Sequence, residues 1–394
     1  MGMMKFNADT YQLETGSLGR IALIVGIVGL LLCVAGLFMD SHQFFQAYLT
    51  AFTFWTTLSL GGIFFVLVHF LTGAVWSVVL RRIAENLASL IPVLTIFALP
   101  LFFGLHDLFH WSDAEYVAKD ELLSHKVGFL NVPFFIVRNV IYFAVWNGII
   151  FLINRFEKQL DAGDMSAVGR LRKIAAIGVV LYAFTVTFFG FDWLMSLDAH
   201  WYSTMFGVYV FSGGFLTSLA VLTLILIFFH RQGVAEGLIT MEHLHDMGKM
   251  MFAFTVWWAY IGGSQYFLIW YGNIPEETLW FLHRWEHGWK PVSMALIFLH
   301  FALPFALLIF QASKRNLIVL ASVAGLLTIM HYVDHFWMVM PSFENHGPHL
   351  GWMHLAAWLG IGGIYVWFLC RRMGRGPLLP GNDPKFKASV RFAN

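Results

Sequence analysis

Asp192 lies inside an apolar run, Lys173 to Leu197, in the string Phe188-Phe189-Gly190-Phe191-Asp192-Trp193-Leu194-Met195-Ser196-Leu197. An ionised carboxylate in hydrocarbon costs about 3 kcal/mol or more, so it needs a partner or a proton. Arg138 offers the first. It sits on the order of 8 Å into the run Pro133 to Ile153 at a helical rise of ~1.5 Å per residue, and Asp192 lies at a similar depth from the same side. Such a pair would keep Asp192 ionised, and it suits either a structural bridge between two helices or a proton-handling group.

His331, Asp334 and His335 recur at i, i+3, i+4, which places all three on one face of a helix. Imidazoles beside a carboxylate can exchange protons near neutral pH, their unperturbed pKa being about 6.5. The plainer reading is that they satisfy hydrogen bonds between helices. His300, deeper in its own run, and His69, towards the opposite side, can extend a proton path with Asn147, Tyr260, Ser264 and Gln265. Asp192, His331 and Asp334 also have the acceptors that a quinol headgroup needs.

The elements that must position these groups are membrane spans. Of 394 residues, 59% are hydrophobic and only 12% charged, against about a quarter charged in soluble domains. Runs of about 20 apolar residues cross a bilayer. About ten are present: Ile21 to Met39, Tyr48 to Leu71, Leu87 to Leu105, Pro133 to Ile153, Lys173 to Leu197, Met205 to Phe229, Met250 to Tyr271, Pro291 to Ala312, Leu317 to Met340 and Leu350 to Cys370. The second is expected to be long, tilted or broken near Gly73. The fold expected is all-α and polytopic. Residues 1–20 form a polar leading segment without the pattern of a removable signal peptide, 21–370 the transmembrane domain, and 371–394 a basic tail.

Most of the 24 Lys and Arg fall in segments on one side, whereas the other side holds only Lys119, Lys126, Arg284 and Lys290. By the positive-inside rule both termini are cytoplasmic. The outer loops, Asp107 to Asn131 and Gly272 to Lys290, carry Trp111, Trp280, Trp285 and Trp289, suited to an interface belt or a partner's surface. Spans two to five and six to nine enter from the same side and can be parallel repeats, each ending near an Asp with aromatic neighbours. Arg81, Arg82 and Glu85 read as a solvated helix pair. His106, Asp107 and His110, and likewise His346, His349 and His354, have ligand-like spacing but no fixed further ligand, so no metal is assigned. Cys33 and Cys370 stand alone, which argues against disulfides, iron-sulfur ligation or covalent haem in this chain.

The string Phe191-Asp192-Trp193-Leu194-Met195-Ser196-Leu197-Asp198-Ala199-His200-Trp201-Tyr202-Ser203-Thr204-Met205-Phe206-Gly207-Val208-Tyr209 resembles the signature of ActF-type subunits of alternative complex III. Leu71-Thr72-Gly73-Ala74-Val75-Trp76-Ser77, running on to Arg81, Arg82 and Glu85, resembles them too, and the ten-span plan is similar to the wider NrfD and polysulfide-reductase membrane-subunit family. Ala199 stands where many relatives would have proline. The resemblance implies two four-helix bundles, residues 48–197 and 205–340, with flanking helices. It also implies a place in a bacterial inner-membrane complex that oxidises quinol and reduces a cytochrome c or a terminal oxidase. The implied partners are a second NrfD-like, ActC-type subunit with the better-supported quinol site, an iron-sulfur subunit, and multihaem and monohaem cytochrome c subunits. Haem c and iron-sulfur clusters then belong to those partners and none to this chain.

The leading expectation is an accessory subunit, structural and proton-conducting, with Asp192, Arg138, His331, Asp334 and His335 near the outer mouth. A quinol site of its own is the second reading. A secondary transporter, which repeats and intramembrane charges also permit, and a b-haem protein using two span histidines are the remaining ones.

Overall fold

The computed structural model describes residues 5–7, 12–14, 16–343 and 347–392. Apart from a small antiparallel pair, β1 Lys5–Asn7 and β2 Gln12–Glu14, the described regular structure is helical. Among the described residues, nine helices are long and apolar enough to cross a membrane. In lipid a helix satisfies every backbone polar group internally, so apolar runs of this length have few other options.

The principal helices are α1 Leu18–Met39, α2 Ser41–Thr72, α3 Val78–Ala88, α4 Ile91–Phe103, α5 Val132–Asp161, α6 Ser166–Trp193, α7 Phe206–Arg231, α8 Met241–Gly272, α9 Lys290–Leu308, α10 Leu317–Val339 and α11 Trp352–Met373. Together α3 and α4 make one span. α8 carries the expected run Met250 to Tyr271 and is long enough, but its Trp, Tyr, Ser264 and Gln265 leave it less apolar than the nine.

Local signals place the ends. Asp40 caps α2 by accepting from the Gln43 N–H at 3.0 Å, Asn131 caps α5 through the Phe134 N–H at 2.9 Å, and Asn316 caps α10. Gly73 ends α2 in the left-handed region, φ 59°, so the break falls where a residue without Cβ allows it. The following helix starts at Val78, not near Leu87, which puts Arg81, Arg82 and Glu85 on a helix face directed inward. α9 contains a π-helical stretch over Leu296–Ala302, a wide turn that often marks a functional site.

α2 and α7 are buried along most of their length and pack against each other at the centre. Each has its own set of neighbours in the same arrangement: α2 packs on α3 and α6 with α5 beyond, and α7 packs on α8 and α10 with α9 beyond. α2 also meets α10, and α7 meets α6, so the two halves exchange equivalent contacts. Three of the loop tryptophans expected at an interface are instead core residues: Trp111, Trp280 and Trp289 are buried, and only Trp285 is exposed. The loops fold back over the bundle ends, where burying a large ring gains more than leaving it in water.

The first and last principal helices, α1 and α11, lie together beside α2. Their contact is built of glycines. A Cβ added to Gly29 would stand 2.5 Å from the Gly360 nitrogen, and one on Gly363 would stand 2.3 Å from that of Gly26. Small residues allow such backbone approach, which is how helices associate where lipid offers no hydrophobic drive. Gly363→Leu is therefore expected to force α1 away and to cost about 1–3 kcal/mol or more. Thermal unfolding of the purified protein in detergent measures it, and a midpoint equal to wild type would refute the packing described.

Candidate functional site

Arg138 and Tyr142 are one turn apart on α5 and both face Asp192 on α6. The guanidinium forks onto the carboxylate: Nε donates to Oδ2 at 2.9 Å and Nη2 to Oδ1 at 2.7 Å, while the Tyr142 hydroxyl donates to Oδ2 at 2.7 Å. Arg138 Nη1 donates to the Phe129 carbonyl at 2.8 Å, and the rings of Phe129 and Phe134 lie 3.9 and 4.4 Å from the guanidinium carbon. The next residues repeat the link, Trp193 Nε1 donating to Asn139 Oδ1 at 2.6 Å. A bidentate, aromatic-flanked ion pair of this kind is strong and geometrically specific. Both carboxylate oxygens are engaged, so the arrangement works as a clasp between α5 and α6.

Asp334, also buried, has no cation within 4.0 Å among the described residues. Asp334 on α10 accepts from the Tyr209 hydroxyl at 2.5 Å on Oδ1 and from Trp258 Nε1 at 3.1 Å on Oδ2, tying α10 to α7 and α8. Its stripe-mates turn the other way. His331 and His335 place Nε2 atoms 3.1 and 3.2 Å from the Thr57 hydroxyl of α2 and 3.2 Å from each other. Phe54 packs on both imidazoles. Neither imidazole bonds Asp334 directly, so the expected His–carboxylate contact is replaced by two adjoining polar contacts on one helix. Gly213 of α7 makes room here, since a Cβ on it would stand 3.0 Å from His331 Cε1 and 3.5 Å from the Trp258 ring.

His300 stands in the π-helical turn of α9, fully buried, with its ring 4.2 Å from that of Trp258. Both its nitrogens, and Nδ1 of His331 and of His335, lack hydrogen-bond partners among the described residues. Orphaned buried polar atoms cost about 1–3 kcal/mol each, so these four nitrogens add nothing to stability as they stand. Beside them lies a cavity of about 360 Å³ whose walls include Tyr209 and Trp258, the two residues that hold Asp334. Asp192, His331 and Asp334 do not line it.

His69 is at the far end of the molecule from Asp334. Its Nδ1 is 2.7 Å from the Ser77 hydroxyl and its Nε2 3.3 Å from Arg81 Nη1. Arg81 is fully buried, 2.9 Å from Glu85, 3.1 Å from Glu157 and 2.6 Å from Asp383. Arg82 adds pairs to Glu157 at 2.8 Å and Asp161 at 2.5 Å. The expectation of a solvated helix pair is thus corrected. Partners from α5 and from the C-terminal tail close over Arg81 and remove it from solvent. Asn147 bonds Thr95 and the Phe143 carbonyl, Gln265 bonds Ser203 and the Ile261 carbonyl, Ser264 bonds its own helix, and Tyr260 is exposed. They do not continue a chain from His300 to His69.

His106 bonds Ser112, Asp107 meets His42 at 2.9 Å, and His110 stacks on Tyr116. His354 is buried against Met340, and His346 lies outside the described residues. Among the described residues no group of three or more His, Cys, Asp or Glu is arranged to hold a metal ion. Tyr142, Tyr209, Trp258 and Thr57 complete the two carboxylate sites and the imidazole pair, but sequence reasoning did not single them out. In a chain that is 18% aromatic, no spacing separates a ring that holds a carboxylate from one that fills space.

Fold and site together define a multi-pass α-helical membrane protein in which the buried carboxylates Asp192 and Asp334 are differently partnered. Compared with known protein families and with curated proteins, the chain matches none.

Proposed function

We propose that this chain is an integral subunit of a bacterial respiratory complex of the alternative complex III type, which oxidises quinol and delivers electrons to cytochrome c or an oxidase. In that complex it serves as scaffold and proton conductor. The likeness of the Phe191 to Tyr209 string and the repeated helix pairings support the assembly. The proton role rests on one observation: among the described residues Asp334 is buried without a cation partner, beside two paired imidazoles and a third whose nitrogens have no hydrogen-bond partner.

Quinol oxidation releases protons along with electrons, and a proton in lipid needs titratable groups to step between. Asp334 takes or gives the proton, with Tyr209 and Trp258 stabilising its anion by hydrogen bonds. His331, His335 and His300 are the adjoining acceptors. Arg138 and Asp192 hold the first bundle in register. Electron carriers reside in the iron-sulfur and cytochrome partners, and the ActC-type subunit oxidises quinol. With both termini cytoplasmic, the Asp334 end faces the periplasm.

Asp334→Asn keeps the shape and the hydrogen-bond acceptor on one side while removing the titration. Proton release per electron in reconstituted vesicles is expected to fall, and turnover to drop about a hundredfold or more, the scale for loss of a positioned proton carrier. Tyr209→Phe should give a smaller effect in the same direction. Wild-type stoichiometry and turnover in Asp334→Asn would end the proton-conducting reading. Purification without cytochrome and iron-sulfur partners would end the assembly.

A further inference from the structure

Arg284 follows the short helix Pro275–His283 and is 2% exposed. Its guanidinium donates to three backbone carbonyls: Nε to Trp337 at 3.1 Å, Nη1 to Trp280 at 2.9 Å and Nη2 to Met338 at 2.8 Å. The Trp280 ring centre is 3.5 Å from it. The other two deeply buried arginines, Arg81 and Arg138, each lie on carboxylates. Arg284 has none within 4.0 Å among the described residues. Carbonyl dipoles solvate a cation without cancelling its charge, and three carbonyls use three of the five N–H groups. Burial pushes the Arg284 guanidinium down to about 9, opposed by the more distant Asp198 carboxylate and by Tyr209. It remains a cation at neutral pH.

Arg284 lines the cavity of about 360 Å³ described above. The remaining wall is mostly aromatic, with Trp258, Trp280, Trp285 and Trp337 prominent. The flank between α8 and α9 is open to the surroundings: Tyr266 is 46%, Trp285 39% and Ile297 47% exposed. Gly262 and Gly263 line the cavity there without side chains. A buried uncompensated cation at one point and an apolar slot leading out through a lipid-facing flank fit an anionic head with a hydrocarbon tail.

We propose that this cavity binds one acidic phospholipid, its phosphate taken by the two free N–H groups of Arg284 and an acyl chain lying between α8 and α9. Guanidinium is the usual side-chain partner of a phosphate, because its fork matches two oxygens. The proposal does not rest on the proton role: Asp334, His331 and His335 do not line the cavity, although Tyr209 and Trp258, which hold Asp334, form part of its wall.

Native mass spectrometry of the full-length protein tests it, using delipidated samples titrated with phosphatidylglycerol or phosphatidylcholine of identical chains. Inorganic phosphate serves as the head-only arm. Wild type is expected to retain one phosphatidylglycerol with a preference of about tenfold over phosphatidylcholine, the scale of one well-placed charge, undisturbed by millimolar phosphate. Arg284→Gln should abolish the preference. A Cβ on Gly263 meets nothing within 4 Å, so Gly263→Trp can fill the slot without backbone conflict and should abolish retention even if Arg284→Gln fails to fold. Equal retention of the two lipids, phosphatidylglycerol retained by Gly263→Trp, or displacement by inorganic phosphate would each overturn the proposal. So would a photoreactive hydroquinone that labels Trp280 and Trp285 in preference to a photoreactive phosphatidylglycerol.

Discussion

Arg81→Met is expected to destabilise the protein by about 3–5 kcal/mol, the usual cost of stripping the partner from buried charges. The two guanidinium groups of Arg81 and Arg82 serve four carboxylates, Glu85, Glu157, Asp161 and Asp383, so removing one cation leaves the cluster far out of balance. Glu85 and Glu157 are themselves buried and cannot turn to water. The damage should reach the C-terminal tail. That segment is held by Asp383 on Arg81, by Lys385 on the Gly73 carbonyl, and by Ser389 on the Trp76 carbonyl and on His243. Limited proteolysis should therefore cut near residues 375–392 faster than in wild type, alongside a lowered unfolding midpoint. Arg81→Lys should fall between the two, since a point charge cannot reach three carboxylates at once. Wild-type stability and tail protection in Arg81→Met would mean that the cluster is solvated after all.

The same cluster shows where sequence reasoning stops. Helices announce themselves through length and apolarity, so the spans were legible, while a break at Gly73 was only one of the alternatives open to the second span. Arg138 and Asp192 could be matched because each lies at a fixed depth in its own span, and depth follows from the helical rise. Arg81 offered no such clue. Two of its partners are Glu157, 76 residues on, and Asp383, 302 residues on, and only the folded bundle brings them together. His331, Asp334 and His335 were legible as a shared helix face. The split of that face, carboxylate to Tyr209 and Trp258, imidazoles to Thr57, depends on which neighbouring helix lies on each side. Arg284 was legible only as a basic residue in an outer loop, because its burial follows from a loop folding onto the end of α10.

The Arg138–Asp192 clasp should behave in mutants as a unit. Arg138→Leu leaves Asp192 fully buried with only Tyr142 to hold it, and is expected to cost about 3–5 kcal/mol. Asp192→Asn should cost less, because Arg138 retains the Phe129 carbonyl and two aromatic faces. In the double variant Arg138→Met/Asp192→Leu neither charge is stranded, and apolar side chains of similar bulk replace the pair. Its stability should recover well above the sum of the losses in the matching single variants Arg138→Met and Asp192→Leu, with a coupling of about 0.5–3 kcal/mol, read from unfolding midpoints in the double-mutant cycle formed by these three variants and wild type. The same samples separate clasp from conductor. If the pair only holds α5 to α6, the double variant restores proton release per electron along with stability, whereas Asp334→Asn does not. A double variant that is as stable as wild type yet releases fewer protons would move Asp192 into the proton path and leave the two carboxylates with one job between them.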